Sequence, residues 1–113
     1  TLIWPPIVEG RTRGSSRTHR HTRTADHRSW PNGTAAMTVI GMCGDYDSVI
    51  GMDKEEPLRR FLTKVPSGRF EAANGAATLS GVAVEIDDRT GLATAVAPLR
   101  LGGRLEETVP KYW

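Results

Sequence analysis

The chain has 113 residues, of which 38% are hydrophobic and 25% are charged, as is usual for one small globular domain. It contains no apolar run of the roughly 20 residues that a membrane-spanning helix needs, and its single cysteine, Cys43, excludes an internal disulfide. The formal net charge is +2, but six arginines and one acid fall between Arg11 and Arg28, whereas nine basic residues oppose eleven acidic ones from Met37 onward.

Residues 1–35 are predicted to form an extended arm rich in Arg, His and Thr. The segment 11–34 has one large apolar residue, Trp30, and no helical or strand periodicity, so it is predicted to be disordered unless bound. A basic segment on a mildly acidic body indicates anionic partners, because guanidinium groups suit phosphate. The same composition also fits a remnant of an organelle-targeting sequence or a merely solvated extension. The candidate polyanion-binding residues are Arg11, Arg13, Arg17, Arg20, Arg23 and Arg28.

Two copies of the tetrapeptide Val-Ile-Gly-Met, at 39–42 and 49–52, flank a polar and turn-rich hexapeptide. The first copy belongs to the apolar, β-branched segment 37–42, which is typical of a strand. The repeat therefore predicts a first β-hairpin whose two strands share one face. Nothing extends the repeat towards a solenoid.

Residues 53–65 are predicted to form an amphipathic helix. Asp53 followed by Glu56 matches a capping box, and the sequence Pro-Ser-Gly at 66–68 predicts the end of the helix. Four apolar side chains recur at i, i+3, i+4 and i+7 and form one stripe of the kind that faces a core. These residues are Leu58, Phe61, Leu62 and Val65.

A second β-hairpin is predicted from two further segments. Residues 78–86 alternate in polarity, and residues 92–97 return with alanines on one side, a face small enough to lie close beneath a helix. The turn between them ends at Gly91, where a left-handed bulge residue belongs. Pro98 ends the pairing or marks a sheet edge, and 99–101 continue the strand in the second case.

Together these elements predict an α+β fold in which two β-hairpins and one amphipathic helix form a small domain, residues 36–104. The extended basic arm precedes this domain, and residues 105–113 are predicted to be a docking tail. A domain of about 70 residues without a disulfide is marginally stable. We therefore expect other protein chains, in a homo- or hetero-oligomer, to stabilise it.

The sequence His19-x-His21 places two imidazoles on one face of an extended segment, with Asp26 and His27 close behind. The segment has no evident scaffold, and the neighbouring arginines oppose a cation. His19 and His21 are therefore weak metal candidates, and no metal or other cofactor is predicted.

Four acids also match part of a calcium loop. With Asp45 at position 1, Asp47, Asp53 and Glu56 fall at positions 3, 9 and 12 of an EF-hand. Apolar residues occupy positions 5 and 6, and no helix precedes the loop. A turn followed by a helix cap explains the same acids more simply.

Cys43, Asp45 and Asp47 are weak catalytic candidates at the turn of the first predicted hairpin. A cysteine nucleophile needs a nearby base or a positive dipole, and the histidines lie in the arm, so a structural thiol is favoured. Thr1 could act as an N-terminal nucleophile, but the enzymes that use this chemistry have much larger scaffolds.

No phosphate-binding loop, dinucleotide-binding glycine pattern or zinc motif occurs in the sequence. The leading hypothesis is a non-enzymatic accessory subunit of a larger assembly, with the arm on an anionic or protein surface. One alternative is a small enzyme subunit with its site near the 43–47 turn, and another is a free nucleic-acid-binding protein that uses the arm. An intracellular location is favoured.

Overall fold

The computed structural model describes residues 9–18 and 20–113, and within them it contains two three-stranded sheets and one helix. The α+β class predicted from the sequence is confirmed. The elements in chain order are β1 (Gly14–Ser16), β2 (Arg28–Ser29), β3 (Ala35–Met37), β4 (Gly44–Asp45), α1 (Glu55–Thr63), β5 (Ala77–Ile86) and β6 (Ala93–Leu101).

The first sheet has the order β1-β3-β2, with β1 parallel and β2 antiparallel to the central strand. The three residues of β3 are buried, as are the flanking Thr34 and Val39. The first predicted hairpin is wrong, because β3 pairs with residues from the arm rather than with the second Val-Ile-Gly-Met copy. That copy closes on itself instead, through paired backbone hydrogen bonds between Val49 and Met52.

Part of the predicted arm is therefore built into a sheet. Backbone hydrogen bonds tie it to the domain, with the amides of Ala35 and Ile40 donating to the carbonyls of Arg13 and Arg17 at 3.0 Å each. A polar segment with few apolar side chains can still satisfy backbone groups in this way. The division of the chain at residue 35, and the disorder of the unbound arm, stay predictions.

The second sheet has the order β4-β5-β6, and its long β5–β6 hairpin confirms the second predicted hairpin. Gly91 adopts φ +71° in the turn, so the left-handed turn residue is also confirmed. The register of the hairpin shifts between Glu85 and Ile86, at the end of β5. Pro98 lies opposite Val82 within β6. Proline is tolerated there because β6 is the edge strand of this sheet.

The helix α1 forms at the predicted place, but its surroundings differ from the prediction. Asp53 Oδ1 accepts a hydrogen bond from the Glu55 amide at 3.0 Å, whereas the capping box does not form. The helix ends at Lys64, which adopts a left-handed conformation with φ +58°. The apolar stripe faces solvent: the exposed fractions are 49% for Leu58, 82% for Phe61, 78% for Leu62 and 61% for Val65.

The described residues form an elongated body rather than a compact one. The radius of gyration is 17.6 Å, against about 13 Å for a compact domain of this length. The segment after β6 runs back along the β5–β6 hairpin. Thr108 and Arg100 exchange two backbone hydrogen bonds of 2.8 Å, and Tyr112 Oη donates to the Ala83 carbonyl at 2.9 Å. No helix among residues 9–18 and 20–113 is long and apolar enough to cross a membrane.

Candidate functional site

A tyrosine hydroxyl joins three segments at the junction of the two sheets. Tyr46 Oη accepts a hydrogen bond from the Met42 amide at 3.1 Å. It lies within donating distance of three oxygens: the Met42 carbonyl at 3.1 Å, the His21 carbonyl at 3.4 Å and Ser80 Oγ at 3.4 Å. Because the hydroxyl carries one proton, it can serve only part of this set at a time. Tyr46 therefore connects the predicted arm to the turn before β4 and to strand β5.

His21 is the described member of the candidate metal pair, and its side chain is exposed next to this junction. Its main chain lies against Tyr46, so the segment that carries the histidine is attached to the domain. His19 lies outside the described residues. No group of three or more metal-ligating side chains comes together elsewhere in the part of the chain that the structure describes.

Asp26 fixes the same segment from its other side. Its carboxylate accepts hydrogen bonds from the hydroxyls of Thr24 and Thr38 and, at 3.2 Å, from the Thr38 amide. Thr24 Oγ1 also accepts a hydrogen bond from the Val39 amide at 3.0 Å. These hydrogen bonds from Thr24 and Thr38 outweigh desolvation and lower the pKa of Asp26 to about 2, so the carboxylate is ionised at neutral pH.

Arg23 differs from the other five arginines of the candidate polyanion-binding set. It is half-buried, whereas the others are exposed, and its Nη1 atom is buried without a hydrogen-bond partner among the described residues. Burial, and secondly the charge of Arg100, lower the pKa of Arg23, while Tyr46 opposes the shift. Arg100 lies on β6 directly opposite Ser80 of β5. We refer to Arg23, Tyr46, Ser80 and Arg100 as the Tyr46 cluster.

The backbone approaches this cluster closely at Gly41. Gly41 adopts φ +112°, and a Cβ atom added there would lie 3.2 Å from Ser80 Oγ and 3.3 Å from Arg23 Cβ. Both the conformation and the space favour glycine. The first copy of the repeated tetrapeptide thus supplies the glycine that lets the arm and β5 meet, which is a packing role rather than the hairpin that the repeat predicted.

The arginines of the arm are not gathered into one patch. The Arg28 guanidinium stacks over the Trp30 ring at 4.2 Å from its centroid, an ordinary cation–π contact. Only Arg23 belongs to the Tyr46 cluster. Polyanion binding by all six arginines stays a prediction.

The weak catalytic candidates lie near one another but have structural partners. Cys43 Sγ donates to the Ser80 carbonyl at 3.3 Å and accepts from the Ser80 amide at 3.4 Å. Asp45 is buried, and its Oδ1 accepts a hydrogen bond from the Asp47 amide at 2.8 Å within the same turn. Asp47 is exposed and pairs with Lys54 at 2.9 Å, which lowers its pKa. A catalytic role for these residues stays a prediction.

The four acids of the candidate calcium loop are separated in the structure. Asp47 pairs with Lys54, and Asp53 caps the first turn of α1. Glu56 Oε1 accepts from Arg60 Nε at 2.7 Å and from the Ser67 amide at 2.9 Å, which lowers its pKa to about 2. These carboxylates hold the turns around the helix, and they do not converge on one point.

The sequence analysis missed Tyr46, Ser80 and Arg100 as site residues. Each is isolated in the sequence, and only the pairing of β5 with β6 and the return of the arm bring them together. A weaker signal existed for Asp26, because Thr24-x-Asp26 begins three residues after His21. Such short polar residues are typical of a turn that is fixed by side-chain hydrogen bonds.

Known proteins resemble this chain over most of its length. A family model described as YmdB-like protein matches residues 5–99. A Bacillus subtilis protein named 2′,3′-cyclic-nucleotide 2′-phosphodiesterase is 47% identical over 89 residues, which are 79% of this chain and 33% of the relative.

Two solved structures are also similar to this chain. A protein described as a novel phosphatase, from Mycoplasma pneumoniae, superposes with a TM-score of 0.78 at 32% identity, covering 96% of this chain and 37% of that one. A hypothetical protein from Thermus thermophilus gives a TM-score of 0.77 at 33% identity, covering 88% and 38%. The chain spans about a third of the length of the curated relatives it matches.

These findings correct the leading functional hypothesis. The prediction of a non-enzymatic accessory subunit that acts through protein–protein interaction is wrong, because the similar proteins are named as a phosphodiesterase and a phosphatase. The prediction failed because it treated the arm as an unstructured extension.

Proposed function

This chain belongs to the YmdB-like protein family, and we propose that it supplies part of the active site of an enzyme that hydrolyses phosphate esters, with phosphodiesters as the first class to test. The observation that carries the proposal is the 47% identity with the Bacillus subtilis phosphodiesterase over 79% of this chain. Since the chain spans about a third of that relative, the activity is proposed for the chain only together with the segments that complete such a protein.

His19 and His21 are the residues that we propose as metal ligands. In phosphoester hydrolysis a bound metal ion lowers the pKa of a coordinated water and neutralises charge on the phosphoryl oxygens. Neutral imidazole is a common ligand for such ions. The two histidines would supply two ligands. The others would come from further segments, because the described residues hold no group of three or more metal-ligating side chains.

The residues around His21 support this role because they orient its main chain. Tyr46 approaches the His21 carbonyl, and the Asp26 carboxylate fixes the turn that follows. A metal ligand held in this way loses less conformational freedom on binding than one in a flexible arm. The histidine pair was a weak candidate because its segment has no evident scaffold, and these hydrogen bonds support a scaffold at His21.

The proposed reaction breaks one phosphorus–oxygen bond. The oxygen of water bonds to phosphorus, the bond from phosphorus to the ester oxygen breaks, and the water proton ends on the departing oxygen or in solvent. Negative charge increases on the phosphoryl oxygens in the transition state, so nearby cations accelerate the reaction.

A chimera tests the proposal. The third of the Bacillus subtilis relative that matches this chain is replaced by this chain, and hydrolysis of 2′,3′-cyclic AMP is followed by chromatography. We expect a folded chimera to hydrolyse the cyclic nucleotide at no less than about a tenth of the rate of the parent enzyme. Chelation by EDTA should reduce the rate at least 100-fold, and added divalent metal should restore it.

The matched control replaces the same third by a glycine-serine linker of equal length, which should be inactive. A chimera that melts as cooperatively as its parent but hydrolyses no faster than this control would contradict the proposal. Hydrolysis that persists after complete removal of metal would contradict the role of His19 and His21 as ligands.

A further inference from the structure

The Tyr46 cluster contains a buried cationic nitrogen without an acceptor. Arg23 Nη1 has no hydrogen-bond partner within residues 9–18 and 20–113. A buried donor that is left unpaired is costly, and more so when it is charged, so native structures rarely retain one without a ligand or water. The stem of this side chain lies close to Gly41 and Ser80, because a Cβ atom added at Gly41 would lie 3.3 Å from Arg23 Cβ and 3.2 Å from Ser80 Oγ.

A second arginine increases the positive charge at this place. Arg100 lies opposite Ser80 across the β5–β6 pair. Its Nε donates to the Glu106 carbonyl at 2.7 Å, which orients the guanidinium without neutralising it. The ion pairs of the described residues join Asp47 and Glu56 to other cations, and neither Arg23 nor Arg100 takes part in them.

The cluster also contains two hydroxyl groups. Tyr46 Oη and Ser80 Oγ are 3.4 Å apart, and Ser80 is buried. Arg23 and Arg100 both neighbour Ser80, and neither is in an ion pair of the described residues, so an anion would compensate their charge. A tetrahedral oxyanion suits this set, because a guanidinium presents parallel N–H groups and a hydroxyl can turn its single proton towards an anion in place of its present acceptor.

We propose that Arg23 and Arg100, assisted by the hydroxyls of Tyr46 and Ser80, form a binding site for a phosphate group. The cluster adjoins the segment that carries His21, so the occupant that the geometry favours is a phosphate oxygen of the ester substrate or of its product. This inference rests on the proposed function for the identity of the anion, but the site itself does not require a metal. In the proposed function Arg23 and Arg100 bind the phosphate while the histidines hold the metal.

The test is a titration of the full 113-residue chain with inorganic phosphate in EDTA, at constant ionic strength maintained with chloride. Arginine Nε–H signals are followed by ¹⁵N NMR. We expect the signals of Arg23 and Arg100 to shift in a saturable manner. Arg23→Gln and Arg100→Gln should each weaken phosphate binding at least fivefold, and Arg23→Lys, which keeps the charge but loses the fork, about threefold.

The matched control is Arg89→Gln, since Arg89 is an exposed arginine in the β5–β6 turn. It should change the affinity less than twofold. Equal weakening by Arg89→Gln, or the absence of saturable shifts at Arg23, would overturn the site. If Arg23→Gln unfolds the chain, Arg23→Lys and Arg100→Gln decide the question, because their folding is checked by the same spectra.

The two proposals fail separately. The titration contains no metal and breaks no bond, so phosphate binding that depends on Arg23 stands even if the chimera is inactive. If the chimera is active but the 113-residue chain shows no phosphate binding that depends on Arg23, the proposed function stands and the phosphate site is refuted. Repeating the titration with 2′,3′-cyclic AMP distinguishes a substrate phosphate from a product phosphate by which of the two binds more tightly.

Discussion

The Tyr46 cluster and the helix α1 both differ from what their sequences predict. The cluster draws on the polar, arginine-rich arm, and yet the arm residue next to Arg23, Thr24, is hydrogen-bonded to the buried residue Val39. The helix has a regular apolar stripe, and yet all four side chains of that stripe are largely exposed. The difference shows that backbone pairing can organise a polar segment, whereas an apolar face remains exposed when no neighbour covers it.

If this comparison is right, disturbing the turn that leads into β5, where that turn lies against Asp45 of β4, should affect stability most. A Cβ added at Gly75 would overlap Asp45 Oδ2 and displace a buried carboxylate. We expect Gly75→Ala to lower the free energy of unfolding by about 1–3 kcal/mol, measured by urea denaturation. Gly68→Ala is the control, because its Cβ would lie 3.5 Å from Glu56 Oε2, an ordinary contact, and should cost less than about 1 kcal/mol. Equal effects of the two substitutions would remove the distinction between the regions.

The second way to test the comparison is to weaken the turn after His21. Asp26→Asn removes the charge of a carboxylate that accepts hydrogen bonds from Thr24 and Thr38. We expect a loss of about 1–2 kcal/mol in the free energy of unfolding, because hydrogen bonds to charged acceptors are the stronger ones. Asp88→Asn, in the exposed β5–β6 turn, should change it by less than about 0.5 kcal/mol. An unaffected Asp26→Asn variant would indicate that the turn is held by its backbone alone.

The dependence of stability on pH tests the contribution of the Asp26 carboxylate in a second way. The folded-state pKa of Asp26 is about 2, below its ordinary value of 3.8. The ionised carboxylate therefore stabilises the folded state above pH 3.8, and this stabilisation is lost as the pH falls towards 2. Glu56 behaves similarly, with a pKa lowered to about 2 from 4.5. We therefore expect the chain to lose stability between about pH 4.5 and pH 2, and Asp26→Asn to flatten part of this loss. Parallel curves for the two proteins would contradict the role of Asp26.

The smallest effect is expected on the helix. Phe61 is 82% exposed, so Phe61→Ser should change the free energy of unfolding of this chain by no more than about 0.5 kcal/mol. Thermal and urea denaturation measure the effect. A loss of several kcal/mol would mean that the stripe is buried in solution, and would make the two regions alike.

Local patterns predicted the elements that depend on local chemistry. The helix, the β5–β6 hairpin and the left-handed Gly91 follow from periodicity and turn residues within short segments. The β1–β3 pairing could not be predicted, because it joins strands far apart in the chain through backbone groups that carry no sequence signal. The Val-Ile-Gly-Met repeat was misleading for the same reason, since side-chain similarity does not specify the partner of a strand.

The candidate site was predictable only in part. His19-x-His21 was visible as a spacing, and Arg23 as one of six arginines. The half-burial that distinguishes Arg23 depends on the folded chain, in which Gly41 and Ser80 come close to its stem. The exposure of Phe61 was equally hidden, because amphipathicity predicts which face seeks a partner and not whether the chain supplies one.

Hydrolysis of 2′,3′-cyclic AMP by the chimera, with His21→Ala compared against His27→Ala, tests the central claim most directly. Both histidines are exposed and lie six residues apart in the same segment, but only His21 is proposed to bind a metal. We predict that His21→Ala lowers the rate at least 100-fold and that His27→Ala leaves it within twofold of the unsubstituted chimera. Equal rates for the two variants would contradict the account.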